Sequence, residues 1–176
     1  MKIAICGSGT VFDESISEKA ASIGRAIAEN DHVVLTGACN GYPNEAAKAA
    51  FEIKGKVMGF SPARDNDEHV KFYNFPTGNF TELIFTGLGI PERNIPLVRN
   101  SDAVILIDGK IGTLNEFSIA MHLGKKIGVL KGAGGISDLI PKMAEVIDKH
   151  GEKENIVYNA NALELLEKLI SIVTFK

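Results

Sequence analysis

The sequence predicts a three-layer α/β/α fold of the Rossmann-like, doubly wound kind, with a mostly parallel sheet of about 6–7 strands. Three observations predict it. Short β-rich runs alternate with amphipathic segments along the whole chain. The run Ala103-Val-Ile-Leu-Ile107 is apolar at every position, as suits a parallel strand covered on both faces. Glycine-rich loops follow the expected strands, at Cys6–Thr10, Thr36–Gly41, Asp108–Gly112 and Lys131–Gly135. In an open parallel sheet all of these loops fall at the carboxyl edge, where ligands bind.

The elements follow in order. Strands are expected at Lys2–Cys6, Val33–Leu35, Val57–Phe60, Leu83–Thr86, Ala103–Ile107 and Ile127–Leu130, each β-branched or aromatic and bounded by turn residues. Between the first two, Ser15-Ile-Ser-Glu18 has capping-box spacing, and Ile16, Ala20, Ile23 and Ile27 recur on one helical face. Further helices are expected over 44–54, 89–99, 113–123, 136–150 and 161–174, the last with Leu163, Leu166, Ile170 and Val173 as its apolar stripe. The segment Ser61–Thr81, with Pro62, Pro76 and several charges, reads as a long connection bordering the sheet edge. There is no internal repeat.

Composition narrows the function classes. A chain of 176 residues, 45% hydrophobic and 23% charged, has enough material for one well-buried core, so a single domain over 1–176 is expected. The net charge of −3 without a long basic run argues against nucleic acid as a partner. No apolar run reaches membrane-spanning length, and the N-terminus reads as a strand rather than a signal peptide, so a cytoplasmic location without a membrane partner is expected. Cys6 and Cys39 do not form a CxxC pair, and the histidines lack ligand spacing, so neither a metal nor a resident cofactor is expected. Both thiols follow strands, where they serve as small buried hydrophobes or contact a ligand.

The chemistry concentrates after the fifth strand. Gly109 and Gly112 allow a tight backbone, and a helix beginning near Thr113 would direct free N–H groups and its positive dipole end at an anion such as phosphate. Glu116, one turn in, would face that ligand. The same residues, Thr113-Leu-Asn-Glu116, also fit a capping box in which Glu116 only reaches back to the cap amide. Two nucleotide signatures are incomplete. Gly7-Ser-Gly9 lacks the third glycine of a dinucleotide fingerprint, since Phe12 occupies it, and no stretch satisfies the triphosphate P-loop pattern. A smaller phosphate-bearing ligand remains.

Asp108-Gly-Lys-Ile-Gly-Thr-Leu-Asn-Glu116 resembles the PGGxGTxxE signature of the Lonely Guy-type proteins, once labelled lysine decarboxylases, within a Rossmann-like nucleotide-binding superfamily. Cys6-Gly-Ser8 resembles that family's first glycine loop. Thr36–Gly41 with Ala46-Ala-Lys-Ala-Ala50 is similar to its GGGxxGLMGxVAxAA segment, and Glu92-Arg-Asn94 to the stretch ending in ERK. The resemblance runs in order over roughly 1–140. It implies a nucleoside 5′-monophosphate phosphoribohydrolase that releases base and ribose 5-phosphate, with Arg93 and Glu116 in the catalytic positions. It also implies phosphate or ligand contacts from Gly7, Ser8, Gly37, Gly41, Gly109, Lys110, Gly112 and Thr113, and assembly into a dimer or tetramer. Asp108 stands where the motif has proline, Lys110 where it has its second glycine, and Asn94 where it has lysine. These departures point toward branches that include proteins resembling the molybdenum cofactor carrier, in which a non-catalytic site holds a pterin phosphate. The alternative to hydrolysis is thus a carrier or sensor of a phosphorylated ligand.

Overall fold

The computed structural model describes residues 1–147 and 151–174. A seven-stranded sheet carries the order β4-β3-β2-β1-β5-β6-β7, with every neighbouring pair parallel. Its strands are β1 (Lys2–Gly7), β2 (Val33–Thr36), β3 (Lys56–Ser61), β4 (Glu82–Phe85), β5 (Ala103–Ile107), β6 (Lys126–Leu130) and β7 (Ile156–Asn159). The helices are α1 (Glu14–Glu29), α2 (Tyr42–Glu52), α3 (Asn66–Lys71), α4 (Gly89–Arg99), α5 (Ile111–His122), α6 (Gly135–Ile147) and α7 (Ala162–Thr174).

Side-chain alternation along the central strands divides the core in two. On one face Ile3, Ile5, Ala103, Ile105 and Ile107 pack with buried residues of α1, α2 and α7. On the other, Ala4, Cys6, Val104 and Leu106 pack with Leu97 and Val98 of α4, Phe117 and Ala120 of α5, and Ile140 and Ala144 of α6. Strand order reverses between β1 and β5: the chain runs outward to β4, then α4 carries it back across the sheet to β5. That switch point opens a crevice at the carboxyl edge. None of the helices of the described residues is long and apolar enough to cross a membrane.

Several boundaries differ from the sequence expectation for physical reasons. Helix α1 starts at Glu14 because Asp13 is its cap, accepting the Ser15 amide at 2.8 Å, so Ser15 is not the capping residue. Asp13→Ala leaves the Ser15 amide without its cap acceptor and is expected to lower the urea midpoint with unchanged slope. Helix α5 starts at Ile111 with Lys110 as cap residue and no side-chain cap bond. Thr113 is therefore inside the first turn, and the Thr113–Glu116 capping box does not form.

The connection Ser61–Thr81 contains α3, capped by Asp65, whose carboxylate accepts the Glu68 amide at 2.9 Å. Within it the fully buried His69 donates from Nε2 to the Pro76 carbonyl (2.9 Å) and receives the Ser61 hydroxyl at Nδ1 (2.8 Å). That clamp ties the connection to the end of β3. The edge strand β7 was not expected; it pairs with β6 from Ile127↔Ile156 to Leu130↔Asn159. The expected helix 136–150 is described to Ile147, and its last positions lie outside the described residues.

Candidate functional site

A cavity of about 270 Å³ occupies the β1/β5 switch point. Three kinds of wall build it. The loop after β1 supplies Gly7 and Ser8, the loop after β2 supplies Gly37 and Cys39, and the first turn of α5 supplies Gly112 and Thr113, with Lys110 just before it. Arg93 and Asn94 enter from α4, and Glu116 from α5. Eight of the ten residues expected at a site line this cavity: Gly7, Ser8, Gly37, Arg93, Lys110, Gly112, Thr113 and Glu116.

Gly41 and Gly109 stand behind the lining and shape it. Gly41 has φ +79, and a Cβ there would lie 2.0 Å from the Ser8 carbonyl oxygen; the Tyr42 amide donates to that same oxygen at 3.1 Å. Glycine at this point lets the loops after β1 and β2 close on each other. Gly109 has φ +97, and a Cβ would lie 2.1 Å from Thr113 Oγ1. Its carbonyl accepts the Ile136 amide at 2.9 Å, which ties the phosphate-type loop to α6.

The first helical bond of α5 runs from the Leu114 amide to the Lys110 carbonyl (3.0 Å). The amides of Ile111, Gly112 and Thr113 precede it and have no intrahelical acceptor, the arrangement that suits an anion at a helix start. Gly112 has nothing within 4 Å of where a Cβ would be, so that side of the turn is open to a ligand. The Lys110 ammonium lies 5.3 Å from the Phe12 ring centroid, linking the loop after β5 to the loop after β1. Lys110 is exposed, so a lysine at this loop position does not fill the crevice interior.

Deeper in, Arg93 Nη1 lies 4.0 Å from Glu116 Oε1, with side chains only 5% and 9% exposed. Burial lifts the Glu116 carboxyl to about 7, against the lowering effects of the Arg93 guanidinium and of a hydrogen bond from the Cys6 thiol. Burial, and next the Glu116 charge, push the Cys6 thiol well above its ordinary value; burial also raises Cys39. Neither cysteine is an activated nucleophile, which needs a lowered thiol pKa. At neutral pH Glu116 is therefore partly protonated beside a permanently charged arginine, and the pair offers an anion a net positive environment.

Phe75, Ile90, Asn40, Asn94 and both cysteines also line the cavity. Phe75 and Ile90 had no sequence signal of their own, because the fold of the 61–81 connection and the crossover angle of α4 bring them there. The signal for Asn94 was its place beside Arg93.

A parallel sheet with glycine loops, free helix amides and a buried Arg–Glu pair at its switch point defines a Rossmann-like protein with a candidate ligand site at the carboxyl edge. The chain belongs to the SLOG cluster4 family, whose model it matches over residues 1–166. It is 32% identical over 132 residues to an uncharacterized protein of Archaeoglobus fulgidus, covering 74% of this chain and 80% of that one. Among solved structures it is similar to the molybdenum cofactor binding protein of Rippkaea orientalis, at 26% identity and TM-score 0.81, over 98% of this chain and 97% of that one. It is also similar to the molybdenum cofactor carrier protein of Chlamydomonas reinhardtii, at 21% identity and TM-score 0.79, with the same coverage of 98% and 97%; this second likeness is one of fold alone.

Proposed function

We propose that the protein binds a phosphorylated, nucleotide-like ligand at the carboxyl edge of the sheet and holds it without chemical change, with molybdenum cofactor, bound through its pterin phosphate, as the favoured cargo. The observation that carries this reading is the open first turn of α5, Ile111–Thr113, beside the buried Arg93. Free amides and a helix dipole bind phosphate oxygens, and a guanidinium adds charge and directed donors. Ser8 and Gly7 close the opposite side. The similarity to the Rippkaea protein supports the choice of cargo.

The test is anaerobic titration calorimetry with molybdenum cofactor, with GMP and AMP alongside, followed by assay of the monophosphates for free base. Saturable binding without base release is the expected result. Absence of binding to every phosphorylated ligand would overturn the reading.

A second reading, N-glycosidic hydrolysis of a nucleoside 5′-monophosphate, is favoured by the carboxyl of Glu116, which titrates near 7 inside the cavity. A group so placed can orient or deprotonate water against an oxocarbenium-like state. Under this reading Glu116→Gln abolishes base release. Under the carrier reading there is no release to abolish, and the same variant binds phosphorylated ligand at least as tightly as wild type near neutral pH.

A further inference from the structure

Asn94 is 1% exposed, lies on the cavity wall and is held from one side only. Its Nδ2 donates to the Gly112 carbonyl at 3.4 Å and to Asn115 Oδ1 at 2.8 Å. A backbone carbonyl can only accept, so Gly112 fixes which end of the Asn94 amide faces α5. The other end, Oδ1, is then a buried acceptor with no donor, and the neighbouring Arg93 Nε is a buried donor with no acceptor. Folded proteins rarely leave buried polar atoms unpaired, and each such atom calls for an explanation, a bound partner from outside the chain being one. Here both lie on residues that line one cavity, next to the helix turn read above as the phosphate cradle.

We propose that Asn94 sets ligand specificity: its Oδ1 accepts a hydrogen bond from an N–H or O–H group on the part of the ligand beyond the phosphate, while Arg93 Nε donates to an adjacent acceptor. This rests on the phosphorylated-ligand reading and adds which chemistry is selected. Two ligand features present a donor beside an acceptor: the exocyclic amino group and ring nitrogen of an amino-oxopyrimidine edge, which guanine and pterins share, and a ribose hydroxyl. A site of this kind rejects an analogue that lacks the donor, because binding it leaves the buried Oδ1 unpaired. The Nδ2 bond to Gly112 joins this recognition to the phosphate turn, so a correctly matched ligand engages both through one rigid amide.

The probes are GMP, IMP (which lacks the exocyclic amino group) and deoxyguanosine monophosphate (which lacks the 2′-hydroxyl), titrated into wild type, Asn94→Leu and Asn115→Ala. Wild type is expected to prefer GMP over one of the two analogues by about tenfold. A preference over IMP assigns the amino group, and one over the deoxynucleotide assigns the hydroxyl. Asn94→Leu is expected to bind all three alike. Asn115→Ala leaves the cavity wall intact and frees the amide, so it is expected to narrow the preference several-fold. If Asn94→Leu does not fold, Asn115→Ala decides alone. Preserved discrimination in the folded variants, or no discrimination by a wild type that does bind GMP, overturns the assignment to Asn94 and leaves the ligand site standing. Failure of wild type to bind any of the three nucleotides while it binds molybdenum cofactor overturns this assignment alone, and failure with the cofactor as well overturns the site reading together with it.

Discussion

Gly37→Val is expected to weaken binding of phosphorylated ligands by about 100-fold or more, while circular dichroism shows the fold retained. The reason is a contact that only glycine permits. A Cβ at position 37 would lie 1.8 Å from Arg93 Nη1 and 2.5 Å from its Cζ. The guanidinium thus rests on the backbone at the end of β2, which holds it in the cavity and within 4.0 Å of Glu116. The atoms that must move are the far end of a flexible side chain, so the sheet has no need to rearrange, but Arg93 must leave its place. Removing a preorganised guanidinium costs both its charge and its directed bonds. Calorimetry with GMP and molybdenum cofactor on wild type and variant checks the expectation; unchanged affinity would separate Arg93 from ligand binding.

The second large effect concerns Glu116 and pH. Its carboxyl is raised from 4.5 to about 7 in the fold, chiefly by burial. Between those values the native protein keeps a proton that the unfolded chain has lost, so stability falls as pH rises through this window and the full penalty is present above about 7. At about 1.36 kcal/mol per pH unit, the penalty is about 3 kcal/mol. Glutamine mimics the protonated form. Glu116→Gln is therefore expected to match wild type near pH 5 and to exceed it near pH 8 by about 3 kcal/mol, on the order of 10 °C in Tm. Thermal denaturation of both proteins across pH 5–9 reads this directly. Ligand binding should follow the same sign: a phosphate beside Arg93 meets a neutral Glu116 below pH 7 and an opposing carboxylate above it. Affinity for anionic ligands should decline with rising pH in wild type and stay level in the variant. Parallel stability curves for the two proteins would contradict the burial of an ionisable Glu116.

The fold was legible where period and punctuation were strong. The apolar run Ala103–Ile107 suits a covered strand and forms β5, and the glycine loops after the strands fall at the carboxyl edge as expected. Strand β7 escaped because Ile156–Asn159 is a short edge segment, half-buried for most of its length. Helix α3 escaped because its one buried residue is His69, which is polar, so it has no apolar stripe. Its Asp65-x-x-Glu68 spacing was the available signal. Helix starts shifted by about a turn or less, since caps such as Asp13 win by local hydrogen bonding that spacing alone does not rank.

The lining of the candidate site was legible in its loops and in Arg93 and Glu116, all of which lie in local motifs. What sequence could not convey is which side of the lining each residue takes. Gly41 and Gly109 serve loop closure rather than the cavity surface, a distinction set by positive φ and close approach to Ser8 and Thr113. Asn94 could be named only as a departure from a motif lysine; its unpaired Oδ1 depends on where α4 crosses the start of α5.

The most direct test of the central claim is an amide chemical-shift titration of the isotope-labelled protein with molybdenum cofactor and, separately, GMP. The account predicts saturable shifts at Ile111, Gly112 and Thr113, joined by Gly7 and Ser8 across the crevice, with the far ends of the strands unmoved. Absence of saturable shifts at the first turn of α5 with both ligands, or shifts confined to another face of the molecule, would contradict it.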